Sequence, residues 1–278
     1  MWFNSGMKSY IAIRGGGDLA SGVAIRLFRA GYKVLIAEIS KPLSVRRTVS
    51  FSEAIYDGFT SIENIVARKI GSIEELESFD DHEIPIVVDP DMKFLENPNL
   101  IVPALIDGRM GKKPIPQSLY KGFPFVIGIG PGFNAGVDCN VVIESNRGHT
   151  LGRIYRHGYS KEDTKVPAGD PKRVLRSPSN GVIHTFNKIG KVVFKNDVIA
   201  RVNDIEILAP FSGLIRGLIH DGLEVETGMK IGDLDHNIDE QICYLVSDKA
   251  LAIGGSVLEI LLSDLSLLPE KRGQLTNK

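Results

Sequence analysis

Cysteine is scarce in this chain. Its 278 residues include two cysteines, Cys139 and Cys243, and no CxxC pair. This argues against a disulfide framework and against a zinc site built from cysteine thiolates. HExxH and other paired metal-ligand spacings are missing as well, so we expect no metal site. The two thiols are interpreted as ordinary thiols of a cytoplasmic protein.

Long hydrophobic runs and an excess of one charge are also missing. No apolar run reaches the length of about 20 residues that spans a bilayer, and no signal-peptide pattern occurs. Lys and Arg number 33 against 34 Asp and Glu, for a formal net charge of -1. The chain therefore has no overall positive charge that would attract nucleic acid or an anionic membrane, and we expect neither as a partner.

The segment IAIRGGGDLASGVA, residues 11–24, joins an apolar run to a helical pattern through three glycines. Residues 10–14 predict a short buried strand, apolar residues from Leu19 to Phe28 recur at helical spacing, and residues 33–39 predict a second strand. Strand, glycine turn, helix and strand follow one another within about 30 residues, the size of one crossover unit.

The glycine turn fits a phosphate-binding motif. Gly15, Gly17 and Ala20 match G-x-G-x-x-G/A. The first N–H groups of a helix lack partners within the helix and its dipole favours negative charge, so a pyrophosphate suits this place. We predict cofactor contacts at Gly15, Gly16, Gly17, Asp18 and Ala20. Asp18 is also a candidate N-cap, and its carboxylate repels a phosphate unless it points away. The competing interpretation is a tight turn that binds no nucleotide.

Glu38 ends the second predicted strand, 21 residues after Gly17. An acid at this place bonds the ribose 2′-OH in dinucleotide sites. Glu38 therefore favours NAD as the cofactor. Lys41, Arg46 and Arg47 follow closely and could contact a phosphate, which leaves NADP open.

Further apolar runs predict more strands, at residues 84–89, 100–106, 123–129 and 140–144. Most are continuous rather than alternating, as in strands that a parallel sheet buries on both faces. The segment GIGPGFNAG is a second glycine-rich turn, and Gly128, Gly130 and Gly132 are predicted to form another anion site. The alternative is a crowded turn that needs positive φ angles.

Catalytic candidates are few. Arg109 follows one predicted strand, and Arg147 and His149 follow another. These three side chains are the candidates for a catalytic role, although a lone histidine is more often structural than catalytic. No Ser/His/Asp set occurs. The sequence therefore indicates a ligand more clearly than a reaction, and whether the chain is an enzyme stays open.

The second half contains an internal repeat. Residues 176–202 align with residues 208–234 at an offset of 32, so that Gly181 meets Gly213 and Gly190 meets Gly222. Each copy is too small to bury its own apolar face, and two copies can close one small sandwich.

The repeat resembles the biotinyl/lipoyl, or barrel-sandwich hybrid, domain over residues 176–235. In that family the hairpin between the two halves carries a modified lysine. Here the joining stretch, VNDIEI at residues 202–207, has no lysine. The resemblance therefore implies the fold but neither biotin nor lipoate, and Lys195 and Lys230 are interpreted as solvated.

These patterns predict an α/β fold in which a Rossmann-like parallel-sheet domain is followed by a small all-β barrel-sandwich hybrid domain and a C-terminal helix. The predicted bounds are 7–160 for the nucleotide-binding domain, 171–236 for the sandwich and 237–265 for the helical end. The helical pattern in SDKALAIGGSVLE predicts a helix that docks the two domains together.

Residues 7–265 resemble the YqeB-like family of selenium-dependent molybdenum hydroxylase system proteins. The motifs that carry this resemblance are RGGGDLASGVAIRLFRAGYKVLIAE, RRTVSFSEAIYDG, IGIGPGFNAGVDC, ESNRGHTLGRI, GMKIGDLD and SDKALAIGGSVLE. The family's N-terminal half is similar in plan to the Rossmann domain of XdhC-type maturation factors. The resemblance implies an accessory role in inserting or modifying a hydroxylase cofactor, and it transfers no catalytic residue.

Two functions compete on this basis. The first is a maturation factor that binds a nucleotide or a molybdopterin-type pterin nucleotide through the glycine-rich turns, for a molybdenum hydroxylase or its maturation proteins. The second is an NAD(P)-dependent oxidoreductase that acts on a small molecule. The resemblance and the lack of an evident proton donor favour the first. An interaction scaffold is a third possibility, and homo-oligomerisation stays open.

Overall fold

The computed structural model describes residues 8–111, 125–163, 169–264 and Leu267. Strands dominate these ranges. The α-helices within them are α1 (Asp18–Arg29), α2 (Ala54–Asp57) and α3 (Asp248–Ser263). Short 3-10 helices lie at Arg47–Val49, Phe51–Glu53, Ile73–Ser78, Lys93–Glu96, Pro171–Arg173 and Glu240–Cys243. None of the helices described combines the length and the apolar composition of a membrane span.

The first half of the chain forms one large sheet and two small strand pairs. Its strands are β1 (Lys8–Ser9), β2 (Ile11–Arg14), β3 (Val34–Glu38), β4 (Phe59–Ile62), β5 (Ile65–Ile70), β6 (Glu83–Val88), β7 (Leu100–Ile101), β8 (Leu105–Asp107), β9 (Val126–Ile129), β10 (Asn134–Ala135), β11 (Val141–Ile143), β12 (Ile154–Tyr155) and β13 (Gly158–Tyr159). The large sheet has nine strands in the order β12-β11-β9-β8-β2-β3-β6-β5-β4.

The predicted Rossmann-like parallel sheet is wrong, because this sheet is mixed. Its central strands run parallel, but β4 pairs with β5 and β12 pairs with β11 in antiparallel fashion, so an antiparallel hairpin closes each edge. Among the described connections between its strands, α1 is the one long helix, and 3-10 turns, the four-residue α2 and loops form the others. A Rossmann sheet needs helical crossovers that cover both faces, and these connections do not supply them.

The centre of the sheet is buried on both faces, as the continuous apolar runs require. All four residues of β2 and the first four residues of β3 are buried. Helix α1 presents a buried face that includes Leu19, Val23 and Leu27 to the core. This packing fixes the N-terminus of α1 beside the carboxyl ends of β2 and β8.

The second half forms two four-stranded sheets. Its strands are β14 (Val174–Arg176), β15 (Gly181–Thr185), β16 (Val192–Val193), β17 (Val198–Val202), β18 (Ile205–Leu208), β19 (Gly213–Leu218), β20 (Glu224–Val225) and β21 (Lys230–Asp235). The two sheets have the orders β14-β21-β19-β16 and β18-β17-β15-β20. Strands β15, β16 and β17 recur as β19, β20 and β21 after 32 residues. The copies exchange a short strand, because β16 pairs with β19 and β20 pairs with β15.

This half departs from the predicted barrel-sandwich hybrid of the biotinyl/lipoyl type. Strand β14 lies outside the repeat and extends the sheet that contains β21 and β19. Hydrogen bonds also join this half to the first half of the chain. The backbone N–H of Leu218 donates to the carbonyl of Val45 at 2.8 Å, and Arg47 Nε donates to the carbonyl of Leu218 at 2.8 Å.

Helix α3 crosses α1 at very short range. A Cβ atom at Gly22 would lie 2.6 Å from the Cβ of Ala250, and a Cβ atom at Gly254 would lie 2.8 Å from the carbonyl oxygen of Gly22. Glycine at these two positions therefore permits the contact, since any larger residue would push the helices apart. The crossing keeps the N-termini of both helices near the sheet that contains β19 and β21.

Candidate functional site

A cavity of about 940 Å³ lies where the N-termini of α1 and α3 meet β14, β19 and β21. Its lining is dominated by cationic side chains. The cations are Arg46, Arg147, Lys161, Arg173, Arg176, Arg216, Lys230 and Lys249. The acids are Asp18, Asp163, Asp233 and Asp248. Among the described residues of the lining, eight positive side chains against four negative ones leave a net excess of four positive charges. Such a cavity favours an anionic ligand.

One group of charges, which we call the sandwich cluster, consists of Arg173, Arg216, Lys230 and Asp233. Asp233 is 1% exposed and accepts hydrogen bonds from Arg173 and, at 2.5 Å, from Nη2 of Arg216. Lys230 Nζ lies 3.8 Å from the same carboxylate. Burial lowers the pKa of the Lys230 amine, and the charge of Arg173 lowers it further against the opposing effect of Asp233. One buried carboxylate thus holds three cations at the cavity wall.

A second group, which we call the helix cluster, consists of Arg147, Asp248 and Lys249. Arg147 Nη1 donates to Asp248 Oδ2 at 2.6 Å. The side chain of Lys249 forms no hydrogen bond or ion pair with any residue in the described ranges. Burial lowers the pKa of its amine; Asp18 opposes this effect and Arg147 adds to it. The amine therefore faces the cavity at the N-terminus of α3, where the helix dipole also favours an anion.

Arg46 is the most enclosed cation of the lining. Its residue is 9% exposed, and its Nη2 donates to the carbonyls of Ile242 at 3.0 Å and Leu245 at 3.3 Å. Its Nε is buried and has no hydrogen-bond partner among the described residues. Burial lowers the pKa of the guanidinium. A buried N–H without a partner costs about 1–3 kcal/mol, so this Nε lowers the stability of the cavity wall.

Asp18 lies between the two clusters. It is the first residue of α1, and its carboxylate makes no hydrogen bond or ion pair within the part of the chain that the structure describes. The charge of Asp18 favours the protonated forms of four nearby cations, so it acts to raise their pKa values. For three of them burial outweighs this contribution. The four cations are Arg46, Arg216, Lys230 and Lys249.

The glycine turn beside α1 is filled by the chain itself. A Cβ atom at Gly15 would lie 3.1 Å from Cγ of Arg109, and one at Gly16 would lie 2.9 Å from the backbone nitrogen of Ser52. The N–H of Gly16 donates to Oε2 of Glu38 at 2.7 Å. At Gly17, the N-cap of α1, the nearest atom to an added Cβ is the Ser44 Oγ at 3.7 Å.

Glu38 lies on this turn and not in the lining of the cavity. Its Oε1 accepts a hydrogen bond from the N–H of Ile39 at 2.7 Å, so each carboxylate oxygen has a backbone donor. Burial raises the pKa of Glu38, although these two donors and Arg109 oppose the rise. The predicted ribose contact of Glu38 stays a prediction.

The other predicted small residues serve close packing. Ala20 is fully buried, and a Cβ atom at Gly108 would lie 2.7 Å from its Cβ. In the second glycine-rich turn, a Cβ atom at Gly128 would lie 2.3 Å from the ring of Phe133. Gly130 and Gly132 have φ angles of 78° and 101°, which favour glycine. This turn lies outside the cavity lining.

The three catalytic candidates lie in different surroundings. Arg109 pairs with the buried Asp107, at 2.7 Å between Nη2 and Oδ2. Arg147 belongs to the helix cluster, and His149 is exposed and outside the cavity lining. The structure therefore brings Asp18 and Arg147 into one cavity, together with Arg46 from the predicted phosphate contacts. In the described ranges, no cluster of three or more histidine, cysteine or acidic residues is arranged to hold a metal ion.

Sequence reasoning missed most of the cavity. Lys230 was interpreted as solvated, yet it lines the cavity beside a buried carboxylate. Lys161, Arg173, Arg176, Arg216 and Lys249 were not considered. The one local signal was SDK at residues 247–249, which places a capping serine and a lysine at the start of α3.

The chain is similar to a protein of Escherichia coli (strain K12) described as "Uncharacterized protein YqeB". The two are 41% identical over 257 residues, which are 91% of this chain and 47% of that protein. This relative supports a YqeB-like family. The chain spans about half the length of this YqeB relative, and the selenium and molybdenum hydroxylase part of the resemblance stays a prediction. No protein-family model matches the chain.

Several solved structures align with most of the chain at low similarity. An aspartoacylase family protein from Mesorhizobium loti is 12% identical, with 82% of this chain and 85% of that chain covered and a TM-score of 0.28. The ectoine utilization protein EutE (DoeB) from Ruegeria pomeroyi is 11% identical, with 82% and 86% covered and a TM-score of 0.25. A succinylglutamate desuccinylase from Silicibacter is 13% identical, with 83% and 85% covered and a TM-score of 0.25.

None of these three proteins is described as a Rossmann or a biotinyl/lipoyl protein. The mixed sheet and the low helix content correct the Rossmann identification, and the extra strand β14 in the second half corrects the biotinyl/lipoyl identification. Likeness at these TM-scores transfers no reaction or substrate to this chain.

Proposed function

We propose that this chain binds a phosphate-bearing cofactor, a nucleotide or a pterin nucleotide, in the cationic cavity and acts as an accessory factor for a molybdenum hydroxylase. The observation that carries the proposal is the net excess of four positive charges among the described residues of the cavity lining. A lining of this kind is costly to maintain without an anion, because like charges repel one another at short range. In this proposal the cationic cavity, and not the glycine turn at Gly15–Gly17, is the main ligand site.

The size and the donors of the cavity support this proposal. A volume of about 940 Å³ lies within the range of small-molecule sites and is sufficient for a nucleotide. The N-terminal ends of α1 and α3 both line it, and helix N-termini are common phosphate sites. Arg46 adds a guanidinium group to the cavity wall, and guanidinium groups form strong hydrogen bonds with phosphate.

The accessory role rests on the family resemblance of the sequence. Molybdopterin cofactors carry phosphate, so a cationic cavity suits them. The hydroxylase partner, the selenium dependence and the handling of the cofactor are all part of the proposal, because the chain spans about half of its relative. The alternative, an NAD(P)-dependent oxidoreductase, depends on Glu38, and the engagement of that carboxylate with Gly16 and Ile39 gives it no support.

The first test is direct binding. Purified protein is titrated calorimetrically with GDP, CDP, NAD and inorganic pyrophosphate at two salt concentrations. We expect the phosphate-bearing ligands to bind with an affinity that falls as salt rises, since charge drives the association. Absence of binding by all four to the folded protein would refute the proposed site.

The accessory role needs a separate test in cells. Deletion of the gene in a host that encodes this chain is expected to lower molybdenum hydroxylase activity without lowering the amount of hydroxylase polypeptide. The hydroxylase purified from that strain should contain less molybdenum and less pterin than the wild-type enzyme. A fully loaded and fully active hydroxylase would leave the binding site intact but reject the accessory role.

A further inference from the structure

Of the four acids that the described part of the cavity lining contains, Asp18 is the one that contacts no cation of the protein directly. Asp233 and Asp248 both hold guanidinium groups, and Asp163 has an interaction of its own. The side chain of Asp18 has neither a hydrogen bond nor an ion pair among the residues described. Its carboxylate lines the cavity, and its acceptor capacity is unused by those residues.

This free carboxylate limits what can lie next to it. A phosphate beside Asp18 would be repelled, whereas the sandwich cluster and the helix cluster on either side attract phosphate. The part of the ligand that faces Asp18 must donate hydrogen bonds, since a carboxylate only accepts them. Arg46, which is 9% exposed, lines the same cavity and adds a further cation beside the two clusters.

We propose that Asp18 determines ligand specificity by accepting hydrogen bonds from two adjacent donors of the bound molecule while the flanking cation clusters hold its phosphates. This inference rests on the proposed function and names a feature of the ligand. The donor pair is either an amino group beside a ring N–H, as guanine and pterins present, or the two hydroxyls of a ribose. Both match the two oxygens of one carboxylate, and charge-assisted hydrogen bonds of this kind are strong.

The sign of one substitution separates this role from that of a repelling charge. Asp18→Asn keeps the size of the side chain and removes its charge. If Asp18 only repels phosphate, the variant binds every phosphate ligand more tightly. If Asp18 accepts from a donor pair, the variant loses affinity for ligands that carry the pair, because the asparagine amide presents N–H groups to them.

The experiment compares four probes by calorimetric titration. GDP carries both donor pairs, ADP retains the ribose but lacks the guanine pair, 2′,3′-dideoxy-GDP retains the guanine pair but lacks the ribose hydroxyls, and inorganic pyrophosphate carries neither. Asp57→Asn is the matched control, because it makes the same change in charge on an exposed residue outside the cavity lining. Asp18→Ser is a second variant in case the asparagine side chain disturbs the start of α1.

We expect Asp18→Asn to weaken GDP binding about tenfold or more and to leave pyrophosphate binding equal or tighter. A loss for ADP but not for dideoxy-GDP identifies the ribose as the source of the donors, and the reverse pattern identifies the base. Equal or tighter binding of GDP by the variant overturns the inference. Wild-type protein that binds pyrophosphate but no nucleotide also overturns it, whereas binding of no probe at all removes the proposed function itself.

Discussion

The glycine turn and the cationic cavity lie on either side of the N-terminus of α1. Polar groups of the turn are hydrogen-bonded within the chain, whereas several polar groups of the cavity are not. In the turn, Gly16 and Ile39 donate to Glu38, and the space that the glycines leave open is taken by Arg109 and Ser52. In the cavity, the Asp18 carboxylate, the Lys249 amine and the Arg46 Nε all lack partners within the described chain. Groups that the chain leaves unsatisfied indicate a ligand better than a glycine motif does.

The physical reason lies in what each arrangement costs the protein. Small residues in a turn allow close approach of any group, and a neighbouring segment of the same chain serves as well as a phosphate. Unpaired charges that are partly withdrawn from water lower the stability of the protein unless something compensates them. Such groups are therefore retained where binding makes use of them.

The largest expected loss of affinity follows from replacing two lysines of the cavity, Lys230 and Lys249. Lys230→Gln combined with Lys249→Gln takes one cation from each cluster and should weaken GDP binding about 100-fold, because each charged contact contributes about tenfold or more. Calorimetric titration measures the loss.

The matched control for this pair is Lys188→Gln combined with Lys195→Gln, two exposed lysines of the second half outside the cavity. It changes the net charge equally and should leave GDP binding within about twofold, since exposed charges are screened by salt. A comparable loss in both double variants would mean that the overall charge attracts the nucleotide and that the cavity does not.

Local structure was predictable from the sequence because its signals are local. Residues 10–14 and 33–39 were predicted as strands, and the structure has β2 at Ile11–Arg14 and β3 at Val34–Glu38. The repeat likewise fixed the correspondence of β15 with β19. The mixed character of the sheet was missed because the antiparallel pairing of β4 with β5 and of β12 with β11 depends on contacts elsewhere in the fold.

The cavity could not be predicted for a different reason. Its cations come from positions between Arg46 and Lys249, more than 200 residues apart in the sequence. They meet because glycines let α3 cross α1 closely and because β19 bonds to the segment at Val45. No spacing within the sequence predicts that these side chains lie close together.

The next effect compares two neighbouring glycines. Gly16→Ala should lower the free energy of unfolding by about 2 kcal/mol, because its Cβ would lie 2.9 Å from the Ser52 nitrogen and the backbone there cannot move freely. Gly17→Ala should change stability little, since the nearest atom to its Cβ is 3.7 Å away. Urea denaturation gives both values. If alanine is tolerated equally at both positions, the turn is not tightly filled by the chain.

A smaller loss of stability is expected at Glu38. Glu38→Gln replaces one of the two oxygens that accept hydrogen bonds from Gly16 and Ile39, so one backbone N–H would face an amide N–H and lose its acceptor. The free energy of unfolding should fall by about 1 kcal/mol or more. Binding of GDP should be unchanged, because Glu38 lies outside the cavity. Parallel titration with NAD and NADP provides the contrast, and a shifted preference between them would restore Glu38 as a ribose contact.

The smallest effect is a dependence of binding on pH. Burial lowers the pKa of Lys230 and of Lys249 below the ordinary lysine value of 10.5, so both amines lose their protons earlier than surface lysines as pH rises. An anion binds the protonated amines, and affinity should therefore be highest at neutral pH and fall as pH increases through these lowered values. ADP suits this test, because its phosphates are already ionised at neutral pH and its adenine, unlike guanine, does not titrate in the alkaline range. We expect its affinity to begin falling at a lower pH than loss of a proton from a surface lysine would give. The double variant Lys230→Arg, Lys249→Arg keeps both charges, because guanidinium groups stay protonated, and should bind ADP with a flat pH profile. A wild-type profile that is equally flat would mean that neither lysine contacts the bound anion, and the guanidinium groups of the cavity would then carry the binding alone.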